Sequence, residues 1–194
     1  MLRNTLLLMA ATAALGLAAA PITASADAMG GMAMDHTVMV GGAAMYPTKT
    51  IVENAVNSKD HTTLVAAVKA AGLVDTLSSP GPFTVFAPTN AAFGKLPAGT
   101  VDMLVKPENK AMLTGILTYH VVAGRMTAAD IMAAIKAGGG KATLTTVQGE
   151  ALTATTKGAK LVLTDAKGGK SMVTIADVMQ SHGVIHVVDT VLMP

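Results

Sequence analysis

Hydrophobic and polar positions change period along the chain, from helical spacing in its first third to strand-like alternation in its last. Ile51, Val52, Ala55 and Val56 recur at i, i+1, i+4 and i+5, the stripe of a short helix. Leu64, Val65, Val68 and Ala71 predict a second helix, starting near Asp60 and stopping at Gly72, where glycine suits the left-handed residue after a last turn. Ser78-Ser79-Pro80-Gly81-Pro82 is a turn cluster, and the aromatic and β-branched run 83–87 predicts a strand. Thr89 is placed to N-cap a short helix through Phe93, with Asn90 beside it as a second capping side chain. Thr100 and Pro107 open two more helices, and residues 118–122 read as a return to strand. Thr127-Ala128-Ala129-Asp130 resembles a capping box with Asp in place of Glu, opening a helix that runs to Gly138.

Beyond Gly138 the runs 142–147, 151–156, 161–165, 172–175 and 184–188 are strand-like, separated by Gly-Glu, Lys-Gly and Gly-Gly turn signals. Helices early and hairpins late indicate an α+β domain with antiparallel pairing. No internal repeat is present, so the expected architecture is a single copy.

Residues 1–26 carry the three zones of a secretory signal peptide. Arg3 supplies the charge, an uncharged Leu- and Ala-rich run follows from Leu6 to Ala20, and Ala24-Ser25-Ala26 fits the small-x-small cleavage pattern. The run is shorter than the roughly 20 residues needed to span a bilayer, and Pro21 ends it. The expectation is an exported protein, periplasmic or extracellular, with no membrane span after cleavage. Residues 27–47 read as a Met- and Gly-rich flexible linker, and 48–194 as the domain.

Removing 26 of 194 residues leaves 168, enough for one domain with a sizeable core. It also leaves 13 basic against 12 acidic residues, near +1, which gives no footprint for nucleic acid or for an anionic membrane. Cysteine is absent, so neither disulfides nor thiolate chemistry is available, and no Cys exists for lipid attachment. With no Trp and five aromatics, an aromatic platform for sugars or bases is not expected.

The histidines offer the obvious chemistry. His120 beside Tyr119 sits in an apolar run, without a Gly-x-Ser-x-Gly elbow, a Cys or a spaced carboxylate pair, and reads as a buried, hydrogen-bonded scaffold residue. His182 and His186 are four apart, but on a strand at roughly 3.3 Å per residue their rings would be about 13 Å apart, too far to share one ion. Catalytic residues are therefore expected to be none. Met29, Met32, Met34, His36, Met39 and Met45 lie within 17 residues. No cofactor is expected, with one exception: thioethers and imidazole suit Cu(I), which this arm could hold through Met29, Met32, Met34, His36 and Met39. Met103, Met112, Met126, Met132, Met172, Met179 and Met193 read as core filler, and Lys106, Lys110, Lys136 and Lys141 as solvated faces.

Three segments, taken in order, resemble the signature of the fasciclin domain family over about residues 48–194. Thr84-Val85-Phe86-Ala87-Pro88-Thr89-Asn90-Ala91-Ala92-Phe93 is similar to its first box, Tyr119-His120-Val121-Val122 to its central Tyr-His motif, and Gly183-Val184-Ile185-His186-Val187-Val188-Asp189 to its second box. The resemblance implies a wedge of antiparallel β-sheets with several helices packed along it. It also implies a secreted or surface-located, non-enzymatic module for cell adhesion or matrix contact. The partner it implies is a cell-surface or matrix protein or polysaccharide. By the same resemblance, partner binding maps to Tyr119, His120, Asp130 and Ile131. The competing expectation is a periplasmic copper-binding or oxidative-stress protein acting through the Met-rich arm.

Overall fold

The computed structural model describes residues 37–194. The segment read as a signal peptide lies outside the described residues, as do Met29, Met32, Met34 and His36.

The described chain opens with a hairpin where the sequence predicts flexible linker. Strands β1 (Val38–Val40) and β2 (Ala43–Met45) pair antiparallel, turning through Gly41 and Gly42, both at positive φ. Val40 and Met45 are buried in the core, and this burial fixes a segment whose composition reads as mobile. Asn54, fully buried, holds it from the next element. Its Nδ2 donates to the Tyr46 carbonyl at 2.8 Å and to Gln180 Oε1, while its Oδ1 accepts from the Tyr46 N–H at 3.1 Å. The domain therefore starts before residue 48.

Helix α1 (Ile51–Asn57) is opened by a complete capping box between Thr50 and Glu53. Helix α2 (Thr62–Ala71) ends as predicted at Gly72, which takes the left-handed conformation at φ 72°. Asn90 caps across space: its Oδ1 accepts from the Thr63 N–H at 3.0 Å, tying the start of α2. A short helix α3 (Val74–Ser78), for which the sequence offered no signal, ends on the first residue of the turn cluster. After strand β3 (Phe83–Pro88), Thr89 caps α4 (Asn90–Gly94), and α5 (Thr100–Leu104) follows. Helix α6 (Lys110–Tyr119) continues to Tyr119, one residue before His120, and β4 (Val121–Ala123) begins just after it. The predicted strand at 118–122 is thus a helix end and a short strand. The predicted capping box opens α7 (Ala128–Ala137).

The rest is sheet: β5 (Lys141–Thr145), β6 (Ala151–Lys157), β7 (Lys160–Thr164), β8 (Lys170–Gln180) and β9 (Gly183–Val188). Seven strands align in the order β4-β3-β9-β8-β7-β6-β5. The α+β class holds, but the sheet is mixed, because β3 and β9 run parallel, from Phe83↔Gly183 to Pro88↔Val188. Gly183 is required there: a Cβ would lie 2.3 Å from the Phe83 carbonyl oxygen. The last strand enters the centre of the sheet beside the first long one, a pairing that local turn signals cannot announce.

The two central strands are covered on both faces, which is why they read as continuous apolar runs. Val85, Ala87, Ile185 and Val187 pack with α1, α2 and α6 in one core, while Phe86 and Val188 pack with α7 and the β5–β8 side in another.

Candidate functional site

The three signature segments meet at the β4-β3-β9 end of the sheet. His120 follows the last turn of α6, so its carbonyl accepts from the Phe86 N–H (2.9 Å) while its ring enters the core. Nδ1 donates to the Ile116 carbonyl at 2.7 Å, and Nε2 accepts from the Leu192 N–H at 3.0 Å. Both ring nitrogens are therefore committed, and the neutral tautomer is set by its partners. Burial lowers the His120 pKa to about 4. A histidine that is 2% exposed and doubly bonded has no free nitrogen with which to accept a substrate proton.

His186 repeats the design. Its Nε2 donates to the Met126 carbonyl (3.0 Å), its Nδ1 accepts from the Asp177 N–H (3.3 Å), and its ring stacks on Phe86 with centroids 5.6 Å apart. Burial again lowers its pKa. Asp177, at φ 58°, turns its carboxylate to accept from the Ala128 N–H at 2.7 Å, tying β8 to the start of α7. His182 lies in the β8–β9 turn and donates from Nε2 to the Leu77 carbonyl at 2.7 Å. The two histidines that are four apart thus serve different contacts.

The residues that the resemblance marks for partner binding are mostly interior. Tyr119 is fully buried, and its hydroxyl donates to the Ala151 carbonyl (3.3 Å) and accepts from the Ala166 N–H (3.1 Å). Ile131 is fully buried on the inward side of α7. Asp130 alone is exposed, and its carboxylate accepts from both the Thr127 N–H (2.9 Å) and the Thr127 hydroxyl (2.7 Å). Those bonds hold its pKa below the usual carboxylate value. The expected four-residue contact face is therefore not a face: three members are scaffold and one is a helix cap.

Sequence reasoning missed Asp165 and His61. Asp165 is 9% exposed and accepts from the Lys167, Gly169 and Met193 N–H groups at 3.0, 2.7 and 3.1 Å. Its bond to Lys167, two residues on, is an Asx-turn of the kind an Asp before Gly168-Gly169 signals, but its grip on Met193 is tertiary. His61 is buried beneath the N-terminal hairpin, where Ser58 Oγ approaches Nδ1 at 2.9 Å and Nε2 lacks a well-formed hydrogen bond. Burial lowers its pKa too.

Of the five proposed copper ligands only Met39 falls among the described residues, on β1 and exposed. Among those residues no three His, Cys, Asp or Glu side chains gather to hold a metal ion, and no helix is long and apolar enough to cross a membrane.

Comparison with known proteins agrees with this architecture. The fasciclin domain family model matches residues 59–194. Protein sll1483 of Synechocystis is 49% identical over 160 residues, which is 82% of this chain and 82% of that protein. Cell surface glycolipoprotein MPB83 of Mycobacterium bovis is 38% identical over 160 residues, covering 80% of this chain and 64% of that one. Among solved structures, a FAS1 domain pair from the insect cell adhesion molecule Fasciclin I superposes with a TM-score of 0.68 at 18% identity. The match covers 81% of this chain and 58% of that one. The histidine braces, the mixed sheet and the matched family model lead to one identification: the chain belongs to the fasciclin domain family.

Proposed function

We propose that the protein is an exported, non-enzymatic binding module that acts in adhesion or matrix contact at the cell surface. The observation that carries this reading is the state of His120: buried, neutral, and bonded at both nitrogens to the backbone of Ile116 and Leu192. The signature segments spend their polar groups on the fold and leave no acid–base pair at a cleft. A domain built this way acts through its exterior. Surface location is supported by the likeness to a cell surface glycolipoprotein and by the signal-peptide pattern in residues 1–26. The partner class is a cell-surface or matrix protein or polysaccharide.

The test is a deletion strain scored for attachment to host and abiotic surfaces, with cell fractions probed for the protein. Reduced attachment, with the protein found outside the inner membrane and shortened by about 26 residues, supports the reading. Unchanged attachment, or a cytoplasmic full-length chain, overturns it.

A further inference from the structure

The outer face of strands β5 to β8 has a composition that packing does not explain. Leu144, Leu152, Ala154 and Leu163 turn inward and are buried, so the alternate positions of each strand face away from that core. Register sets them in rows. Thr143, Thr153, Thr164 and Lys170 form one row across the four strands, and Lys141, Thr155, Val162 and Met172 form the next. Lys157 and Lys160 face each other across the β6–β7 turn and close the array. All four lysines are exposed, and no acidic residue stands at any of these positions. Among the described residues one ion pair occurs, Lys95 with Asp189, elsewhere in the molecule.

Like charges directly opposite on paired strands destabilise a sheet. Guarding an edge against association accounts for Lys141 on the outermost strand, but β6 and β7 are interior strands and need no guard. Val162, which is buried, and Met172 leave an apolar centre to this face, and the uncompensated ammonium groups and threonine hydroxyls around it supply hydrogen-bond donors and positive charge. That chemistry matches an extended polymer carrying carboxylates and hydroxyls.

We propose that this Lys- and Thr-bearing face binds acidic polysaccharide, the inference resting on the surface-binding reading above. Neighbouring strands are about 4.8 Å apart, so four strands offer a span of roughly 14 Å across the sheet. The contacts would be exposed and electrostatic, weak singly and sensitive to salt.

Polygalacturonate is the probe, with its fully methyl-esterified form, dextran and duplex DNA as comparators, measured on the purified protein at low ionic strength. The double variant Lys157→Glu/Lys160→Glu should bind polygalacturonate about tenfold more weakly. The control Lys69→Glu/Lys106→Glu, away from this face, should stay close to wild type. Both pairs are exposed, and circular dichroism verifies that each variant is folded. Equal binding by the two double variants overturns the proposal, as does equal binding to the esterified polymer or dextran. Tighter binding to DNA than to polygalacturonate overturns it in favour of a nucleic-acid surface. If attachment is lost on gene deletion while polygalacturonate binding ignores Lys157 and Lys160, this face is eliminated and the adhesion reading stands.

Discussion

The backbone N–H of Leu192 donates to Nε2 of His120 across 3.0 Å, joining residues 72 apart in sequence. That bond exists only while Nε2 is unprotonated. The ring therefore couples the C-terminal segment to the α6–β4 junction through its charge state.

Acid should loosen the fold, and the sign follows from the pKa. In the unfolded chain the His120 ring titrates near 6.5, and in the native state near 4. Between these values the unfolded chain binds more protons, so stability rises with pH across that window and is complete above 6.5. Falling from pH 7 to 4 should remove about 3 kcal/mol through His120. His186 and His61, whose pKa values are also lowered by burial, add in the same direction. Urea midpoints at pH 7.5, 5.5 and 4 check this, and a flat profile would contradict it. His120→Gln should flatten part of the slope.

Replacing His120 by Ala removes both bonds, leaves the Ile116 carbonyl and the Leu192 N–H without partners, and opens a cavity. A loss of about 3–5 kcal/mol is expected by chemical denaturation. Residues 191–194 should also become accessible to carboxypeptidase before global unfolding.

Asp130 and Ile131 are adjacent in sequence yet should separate cleanly by experiment. Ile131→Ala deletes fully buried hydrocarbon and should cost about 2–5 kcal/mol. Asp130→Ala should move the denaturation midpoint only slightly, since the group is exposed. If Ile131→Ala impairs attachment only in proportion to lost stability, its role is structural.

A chain beginning at residue 48 should be less stable than one beginning at residue 34. It lacks Val40 and Met45 from the core and the Tyr46 partners of Asn54. Each lost apolar side chain is worth about 1.5–3 kcal/mol on burial. Thermal melts of the two chains decide where the domain starts.

Local chemistry was readable from the residues. The Thr127–Asp130 capping box, the stop at Gly72 and the Thr89 cap rest on short-range hydrogen bonding and backbone freedom and appear at the expected places, as do the five late strands, although β8 runs on to Gln180 and β5 stops at Thr145. The buried, hydrogen-bonded character of His120 also followed from its apolar surroundings. What sequence could not show is tertiary. The β1–β2 hairpin is ordered by burial of Val40 and Met45, not by its own composition. The parallel β3–β9 pairing needs a partner 100 residues away, from Phe83 to Gly183. Ile131 and Tyr119 were expected at a contact face because their motifs are recognisable. Burial, which a motif does not encode, puts them inside.

That parallel pairing also sets a schedule. The strand that completes the middle of the sheet spans Gly183–Val188, and the tail that engages His120 and Asp165 follows it. Closing so long a loop is slow, and it cannot begin until nearly the whole chain has been synthesised. Until then both core layers lack a shared wall, and the nascent chain stays open. Under the export proposed above, in which the chain would cross a membrane unfolded, the connectivity would itself supply the delay.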